Sequence, residues 1–177
     1  ESLNSLLAEG RLPNIKKYLV DRGVVFDNHY ATNPVCAPSR ATLLTGQYPR
    51  NHGVVSLSPG YPTAWIPDGH ATIDGELTAL PVALRGRGYY TGHVGKYLNG
   101  YEQKAPTGYV PPGYDFWAGL TGGKAYQVFG YEVNFNGKVV PYPDRDAYYQ
   151  TDVLAAYAEL FVASAGAKPF ALTVAPI

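Results

Sequence analysis

The chain of 177 residues has few charged side chains, a single cysteine and no methionine. Only 16% of its residues are charged, and 14 basic residues balance 14 acidic ones. A net charge of zero argues against a nucleic-acid surface, which needs a basic patch or stripe. No apolar run reaches about 18 residues, so the sequence predicts no membrane span. One cysteine cannot form a disulfide within the chain, so cysteine usage does not indicate a compartment.

Glycine, proline and tyrosine are abundant, with 20, 15 and 16 residues respectively. Such a composition predicts long, ordered loops that carry aromatic side chains with polar tips. The length is sufficient for one domain with a hydrophobic core. We expect the chain to be an internal piece of a larger protein, incomplete at both ends. It begins at Glu1 without a methionine, and it stops as the apolar segment 170–177 finishes.

The hydrophobic periodicity predicts alternating helices and strands. Helices are predicted over 12–23, 39–45, 77–87 and 151–165. Strands are predicted over 24–30, 89–95 and 170–174, and loops over 47–75 and 100–126. A hairpin is predicted over 128–140, because Asn136-Gly137 lies between two β-branched or aromatic runs. The order of these elements indicates an α/β fold with a largely parallel sheet, and no domain boundary is apparent.

The most informative run extends from Cys36 to Gly46 and reads Cys-Ala-Pro-Ser-Arg-Ala-Thr-Leu-Leu-Thr-Gly. Cys36 precedes a predicted helix, and Arg40 follows four positions later. The first turn of a helix presents free N–H groups and a partial positive charge, and a guanidinium adds charge-assisted hydrogen bonds. The run therefore predicts a site for a sulfate or phosphate ester. An unmodified thiol at this place would be a reactive nucleophile.

Two other interpretations of Cys36 can be weighed from the sequence. Thiol phosphatases separate their cysteine and arginine by five residues so that the loop wraps a phosphate. Here Thr42 occupies the arginine position, and Arg40 comes too early. The plainer alternative is a buried apolar cysteine before an ordinary helix, since lone buried cysteines are common.

The same run resembles the signature of type I sulfatases, Cys-x-Pro-Ser-Arg-x-x-x-Leu-Thr-Gly, at every fixed position. The resemblance implies an alkaline-phosphatase-like α/β fold with a mostly parallel sheet flanked by helices. Residues 1–177 would then be the N-terminal portion of the catalytic domain. It also implies that a formylglycine-generating enzyme recognises Cys36, Pro38 and Arg40 and oxidises the cysteine to formylglycine. One hydroxyl of the hydrated aldehyde would attack sulfur, and deprotonation of the other would release sulfate.

A second run, His-Val-Gly-Lys-Tyr-Leu-Asn-Gly-Tyr, extends from His93 to Tyr101. Lys96 follows a predicted strand and is expected at the carboxyl edge of the sheet, where α/β folds bind ligands. The family resemblance implies that Lys96 contacts sulfate. Many sulfatases have histidine where this chain has Leu98, and the Gly-Lys-Tyr-Leu-Asn sequence resembles the N-acetylglucosamine-6-sulfatase and arylsulfatase-like branch. Asn99 is expected to replace that histidine as a hydrogen-bond donor, although an amide cannot act as an acid.

Other polar residues are predicted to be structural. His52 lies in a Pro-Arg-Asn-His-Gly turn, and His29 and His93 lie in predicted strands. Thr151 and Asp152 begin a helix.

The family resemblance implies one calcium ion beside the formylglycine. The chain has no Asp-Asp pair, so most of the ligands would lie outside it, and only the modified side chain of Cys36 would contribute. Calcium takes six or more oxygen ligands, so we expect these residues alone to bind it poorly and not to turn over substrate. Four aspartates are candidates by residue type only: Asp27, Asp68, Asp74 and Asp115.

The resemblance implies a sulfuric ester hydrolase that acts on a sulfated sugar or an aryl sulfate. Cys36, Arg40 and Lys96 would be catalytic, with Lys96 and Asn99 binding substrate. A secreted, periplasmic or lysosomal-type compartment is expected. Two alternatives remain open, namely a phosphonate or phosphodiester hydrolase with the same formylglycine, and a sulfoglycan-binding relic without turnover.

Overall fold

A computed structural model describes residues 3–57, 75–101 and 105–177. The chain forms two compact units, 1–31 and 32–177. The first unit contains helix α1 (Leu3–Ala8), the single α-helical turn α2 (Pro13–Ile15) and a π-helical turn (Lys16–Val20). The helix predicted over 12–23 is thus shorter and changes its hydrogen-bond pattern after one turn. None of the described helices is both long enough and apolar enough to cross a membrane.

The predicted strand over 24–30 is wrong. These residues form turns and irregular backbone, and Val24, Phe26 and Tyr30 are 80%, 76% and 80% exposed. A strand needs a neighbouring strand to satisfy its N–H and C=O groups. No strand in the described part of the chain pairs with this segment, so its β-branched and aromatic composition does not produce one.

The second unit carries the sheet and most of the helices. In chain order its elements are α3 (Cys36–Thr45), α4 (Pro49–His52), α5 (Leu80–Arg85), β1 (Tyr90–Gly95), β2 (Phe116–Thr121), β3 (Glu132–Phe135), β4 (Lys138–Pro141), a 3₁₀ turn (Asp146–Tyr148), α6 (Gln150–Ala165) and β5 (Phe170–Ala175). Helix α3 begins three residues earlier than predicted and ends at Gly46, whose φ of 68° is the left-handed conformation that glycine adopts most easily. Part of the predicted loop 47–75 falls on residues 58–74, which lie outside the described residues.

The five strands form a mixed sheet in the order β4-β3-β2-β1-β5. Strand β1 is parallel to β2 and β5, whereas β2 and β4 are both antiparallel to β3. The predicted α/β fold is confirmed, and half of its strand pairings are antiparallel. Strand β5 is confirmed as a strand, and it lies at the sheet edge, where Phe170 and Val174 are about half exposed.

Strand β2 was expected to be part of the loop 100–126. Its sequence, Phe-Trp-Ala-Gly-Leu-Thr, lacks the alternation of a half-buried strand, because the strand is covered on both faces. The hairpin of β3 and β4 is confirmed. Asn136 and Gly137 have φ values of 47° and 94°, the two positive angles of a type I′ turn. The Oδ1 atom of Asn136 also accepts the Trp117 N–H at 2.7 Å, which attaches the turn to β2.

Two aromatic-rich clusters form the core on opposite faces of the sheet. His93 and Trp117 face α3 and pack near Ala37 and Ala41, whereas alternate residues of the same strands face Phe161 of α6. Both alanines of α3 are 0% exposed, so the helix lies close against its cluster. This packing brings α3 next to the carboxyl end of β1.

Candidate active site

Helix α3 places Cys36 and Arg40 on one face, because residues four apart are neighbours on a helix surface. Cys36 is the first residue of the helix, and its free thiol is exposed. Val35 precedes it with extended backbone and offers no side-chain cap, and Pro38 has no N–H. The N–H groups of the first turn are therefore available to an anion placed beside the Cys36 side chain.

Arg40 connects this helix to the residue that follows β1. Its Nη1 atom donates a hydrogen bond to the Lys96 carbonyl oxygen at 2.7 Å. The end of β1 before Lys96 requires glycine, because the φ of Gly95 is 103° and a Cβ there would lie 2.3 Å from the Ala175 carbonyl oxygen. The Lys96 N–H continues the contact with β5 by donating to that same oxygen at 2.9 Å. The predicted site residues Arg40 and Lys96 are thus brought together across 56 positions of sequence.

The Lys96 side chain is buried although it carries a charge. The residue is 5% exposed, its Nζ atom donates to the Tyr126 hydroxyl, and the same atom lies 4.3 Å from the centroid of that ring. No carboxylate forms an ion pair with Lys96 within the described ranges. An ammonium has three N–H donors, and a buried cation is costly without a counter-charge. Lys96 is therefore suited to bind an anionic ligand.

Asn99 and Tyr126 complete the surroundings of this ammonium. Asn99 donates from Nδ2 to the Tyr126 hydroxyl at 3.2 Å. Its Oδ1 atom is buried and has no hydrogen-bond partner in the described part of the chain. The predicted substrate-binding residue Asn99 is thus joined to Lys96 through Tyr126. Tyr126 is not predictable from the sequence, because it lies in a glycine-rich loop 30 residues after Lys96 and belongs to no recognisable motif.

His52 is a structural residue, in agreement with its predicted role. It is 0% exposed, and its Nδ1 atom accepts the Val54 N–H at 3.1 Å. The neutral ring therefore carries its proton on Nε2, which donates to the Thr42 Oγ1 atom at 3.1 Å. Burial lowers the pKa of His52 and keeps this arrangement neutral. The contact attaches α4 to α3 behind the candidate site.

His93 lies beneath the site in an aromatic cage. It is 3% exposed, its ring stacks on Trp117 with centroids 4.8 Å apart, and the edges of Tyr97 and Tyr114 contact it. Burial, reinforced by the charge of Arg40, lowers the pKa of His93 to about 3. The side chain borders a cavity of about 300 Å³ that Arg40 and Lys96 also line. The imidazole is therefore neutral near pH 7 and packs as part of the core.

The candidate metal ligands that fall on described residues do not assemble into a site. No group of three or more His, Cys, Asp or Glu side chains that could hold a metal ion occurs in ranges 3–57, 75–101 and 105–177. Asp27 is exposed in the first unit, and Asp115 accepts hydrogen bonds from Arg85 and Thr91. Asp68 and Asp74 lie outside the described residues. The residues described do not fit the six or more oxygens that calcium takes, and Cys36 as a metal ligand stays a prediction.

Comparisons with known proteins identify a family for the chain. The sequence model of the family named Sulfatase matches residues 5–177. The chain is 34% identical over 145 residues to the extracellular sulfatase SULF-1 homolog of Drosophila melanogaster, covering 81% of this chain and 12% of that protein. It is 33% identical over 153 residues to human N-acetylglucosamine-6-sulfatase, covering 81% and 26%. It is also 31% identical over 178 residues to an arylsulfatase of Volvox carteri, covering 93% and 25%.

A solved structure is similar in fold as well. With a TM-score of 0.62 and 26% identity, the similarity covers 84% of this chain and 26% of the other. That structure contains its protein in complex with its substrate, D-glucosamine-2-N,6-O-disulfate. The chain thus aligns to only 12% to 26% of the length of each of these proteins.

Proposed function

The chain belongs to the sulfatase family, and we propose that the protein hydrolyses sulfate esters, with residues 1–177 as the N-terminal portion of its catalytic domain. One observation carries the proposal. The Lys96 ammonium is buried, it contacts a phenol and no carboxylate among the described residues, and the Lys96 backbone carbonyl is hydrogen-bonded to Arg40 of the helix that begins at Cys36. A positive charge held in this way stabilises the negative charge of a bound sulfate and of its transition state.

The proposed roles follow from position. Cys36, oxidised to formylglycine by a formylglycine-generating enzyme, would supply the nucleophile as a hydrated aldehyde. Arg40 would brace that side chain from the next helical turn while its hydrogen bond holds the Lys96 backbone in place. Lys96 would hold a sulfate oxygen, and Asn99 would support it through Tyr126. The proposal includes one calcium ion, whose ligands would mostly lie outside this chain, and no step here depends on it.

The proposed substrate class is a sulfated sugar, with a 6-sulfated amino sugar as the first choice. Support comes from the relatives, which include N-acetylglucosamine-6-sulfatases, and from the structural neighbour, whose substrate carries a 6-O-sulfate on glucosamine. Aryl sulfates are the second choice, because arylsulfatases of Chlamydomonas reinhardtii and Volvox carteri are also similar. A secreted or lysosomal-type location is proposed, since two relatives are named extracellular sulfatases.

The test combines mass spectrometry with paired assays. The Cys36 peptide of the natural protein, isolated from its own host, should have lost its sulfur in exchange for an aldehyde oxygen. The same protein should hydrolyse the sulfate of an aryl alcohol faster than a phosphodiester of that alcohol. An intact thiol with no hydrolysis would instead support the sulfoglycan-binding relic. Faster cleavage of the phosphodiester would favour the phosphodiester hydrolase.

The Cys36→Ala and Cys36→Ser variants are the matched controls. Alanine removes any side chain that could become an aldehyde, so hydrolysis should fall to background. Serine keeps a hydroxyl but lacks the second oxygen needed to release sulfate through a carbonyl, so at most one turnover is expected. Retained multiple turnover in either variant would contradict the role given to Cys36.

A further inference from the structure

The hydroxyl of Tyr126 accepts two hydrogen bonds at once. One comes from the Lys96 ammonium, and the other comes from the Asn99 amide nitrogen at 3.2 Å. Ammonium and amide nitrogen atoms are donors only, so the phenol oxygen acts as the acceptor in both contacts. The phenol proton is therefore used in neither of them.

This free O–H group belongs to an exposed residue that lies beside the buried Lys96. Tyr126 is 59% exposed, whereas Lys96 is 5% exposed. The phenol oxygen is within hydrogen-bond distance of Nζ, and the ring lies beside Nζ at 4.3 Å from its centroid. An anionic oxygen that binds to a remaining N–H of Lys96 would therefore come within reach of the Tyr126 O–H.

We propose that Tyr126 contacts the substrate directly, its phenol donating a hydrogen bond to an oxygen of the same sulfate group that Lys96 binds. The inference rests on the proposed function, because it assigns a further residue to that site. A sulfate monoester carries one negative charge, which Lys96 already balances. A neutral, directional donor adds a hydrogen bond to a charged oxygen without introducing a second buried cation. The contact transfers no proton and breaks no bond.

The first test is the Tyr126→Phe variant of the full-length protein. Phenylalanine keeps the ring next to Lys96 and removes only the hydroxyl group. We expect kcat/KM on an aryl sulfate to fall by about tenfold or more, since hydrogen bonds to charged groups are the strong ones. The affinity for inorganic sulfate, measured by titration calorimetry, should fall with it. Tyr149→Phe is the matched control, because Tyr149 is 39% exposed and packs on Phe129 at the start of α6.

A double-mutant cycle separates direct contact from positioning of Lys96. If Tyr126 acted only through Lys96, Tyr126→Phe would have no further effect in a Lys96→Ala background. We expect a further loss in kcat/KM of at least about threefold in that background. No additional loss there, or a Tyr126→Phe variant as active as Tyr149→Phe, overturns the inference.

The same data distinguish this inference from the proposed function. Hydrolysis of sulfate esters that is indifferent to Tyr126→Phe overturns the inference and leaves the proposed function intact. A protein that does not hydrolyse them, yet binds sulfate more weakly after Tyr126→Phe, overturns the proposed function and supports the contact. The melting temperatures of Tyr126→Phe and Tyr149→Phe should stay close to that of the parent, since each change removes only the hydroxyl of an exposed side chain.

Discussion

The aromatic cage around His93 should make the protein sensitive to mild acid. The pKa of His93 is lowered from 6.5 to about 3, first by burial and then by the charge of Arg40. The rings of Trp117, Tyr97 and Tyr114 pack against the imidazole, and hydrogen bonding to the backbone of Gly95 and Lys96 raises its pKa by less than burial and Arg40 lower it. The unfolded chain therefore binds a proton below about pH 6.5 that the folded protein rejects. The stability that neutral His93 contributes is fully present above about pH 6.5, and it is lost progressively as the pH falls towards 3.

The size of the effect follows from the two pKa values. At pH 5 the solution lies about 1.5 pH units below the pKa of an unfolded histidine, and each unit corresponds to about 1.4 kcal/mol. His93 alone should therefore lower the free energy of unfolding by about 2 kcal/mol between pH 7.5 and pH 5. That is a large part of the 5–15 kcal/mol that is typical of a folded domain.

Urea unfolding of the wild-type protein and the His93→Phe variant at the two pH values measures this effect. Phenylalanine can keep the stacking on Trp117 and cannot be protonated, so the variant should lose about 2 kcal/mol less than wild type on acidification. Other titrating groups, including buried His52, are common to both proteins and cancel in the comparison. His29→Phe is the control for the chemical change itself, because it replaces an exposed histidine of the first unit by the same residue. Equal acid sensitivity in His93→Phe and wild type would refute the reasoning.

Three further substitutions test the support of the site. Arg40→Lys should lower kcat/KM on an aryl sulfate by about tenfold with little change in Tm, because lysine lacks the planar fork that reaches the Lys96 carbonyl. An unchanged rate would show that the hydrogen bond is dispensable. Gly92→Ala should reduce the free energy of unfolding in urea by about 1–3 kcal/mol, since the alanine Cβ would lie 2.3 Å from the Phe161 ring. An unchanged free energy of unfolding would mean that the ring moves aside freely. Asp115→Asn should lower the free energy of unfolding by about 1–3 kcal/mol in thermal unfolding, because the carboxylate accepts hydrogen bonds from Arg85 and from Thr91 near the start of β1. The kcat/KM at 25 °C should stay unchanged. A parallel loss of activity would indicate that Asp115 lies closer to the reacting groups than the structure shows.

The candidate site was predictable as far as its residues are adjacent in sequence. Cys36 and Arg40 share a motif, and their relation is local, since a helix brings residues four apart onto one face. Lys96 could be assigned because it follows a strand, and parallel strands place their carboxyl ends at the ligand-binding edge. Tyr126 could not, because only the folding of a glycine-rich loop brings its hydroxyl to Nζ of Lys96.

The fold shows the same division between local and distant causes. The turn at Asn136-Gly137 and the end of α3 at Gly46 follow from backbone preferences that act within a few residues. Strand β2 escaped prediction because burial on both faces removes the alternation on which a strand is recognised. Segment 24–30 has strand-like composition yet stays irregular, since a strand depends on a partner as well as on its own residues.

By itself the sequence determined helix α3, the hairpin turn and several of the other elements, because caps and turns act over a few residues. Only the tertiary structure decided which strands pair, that His93 is neutral, and that a phenol rather than a carboxylate contacts Lys96 among the described residues. These properties depend on burial and on distances between residues that lie far apart in the chain. Neither burial nor these distances can be inferred from the local pattern of side chains.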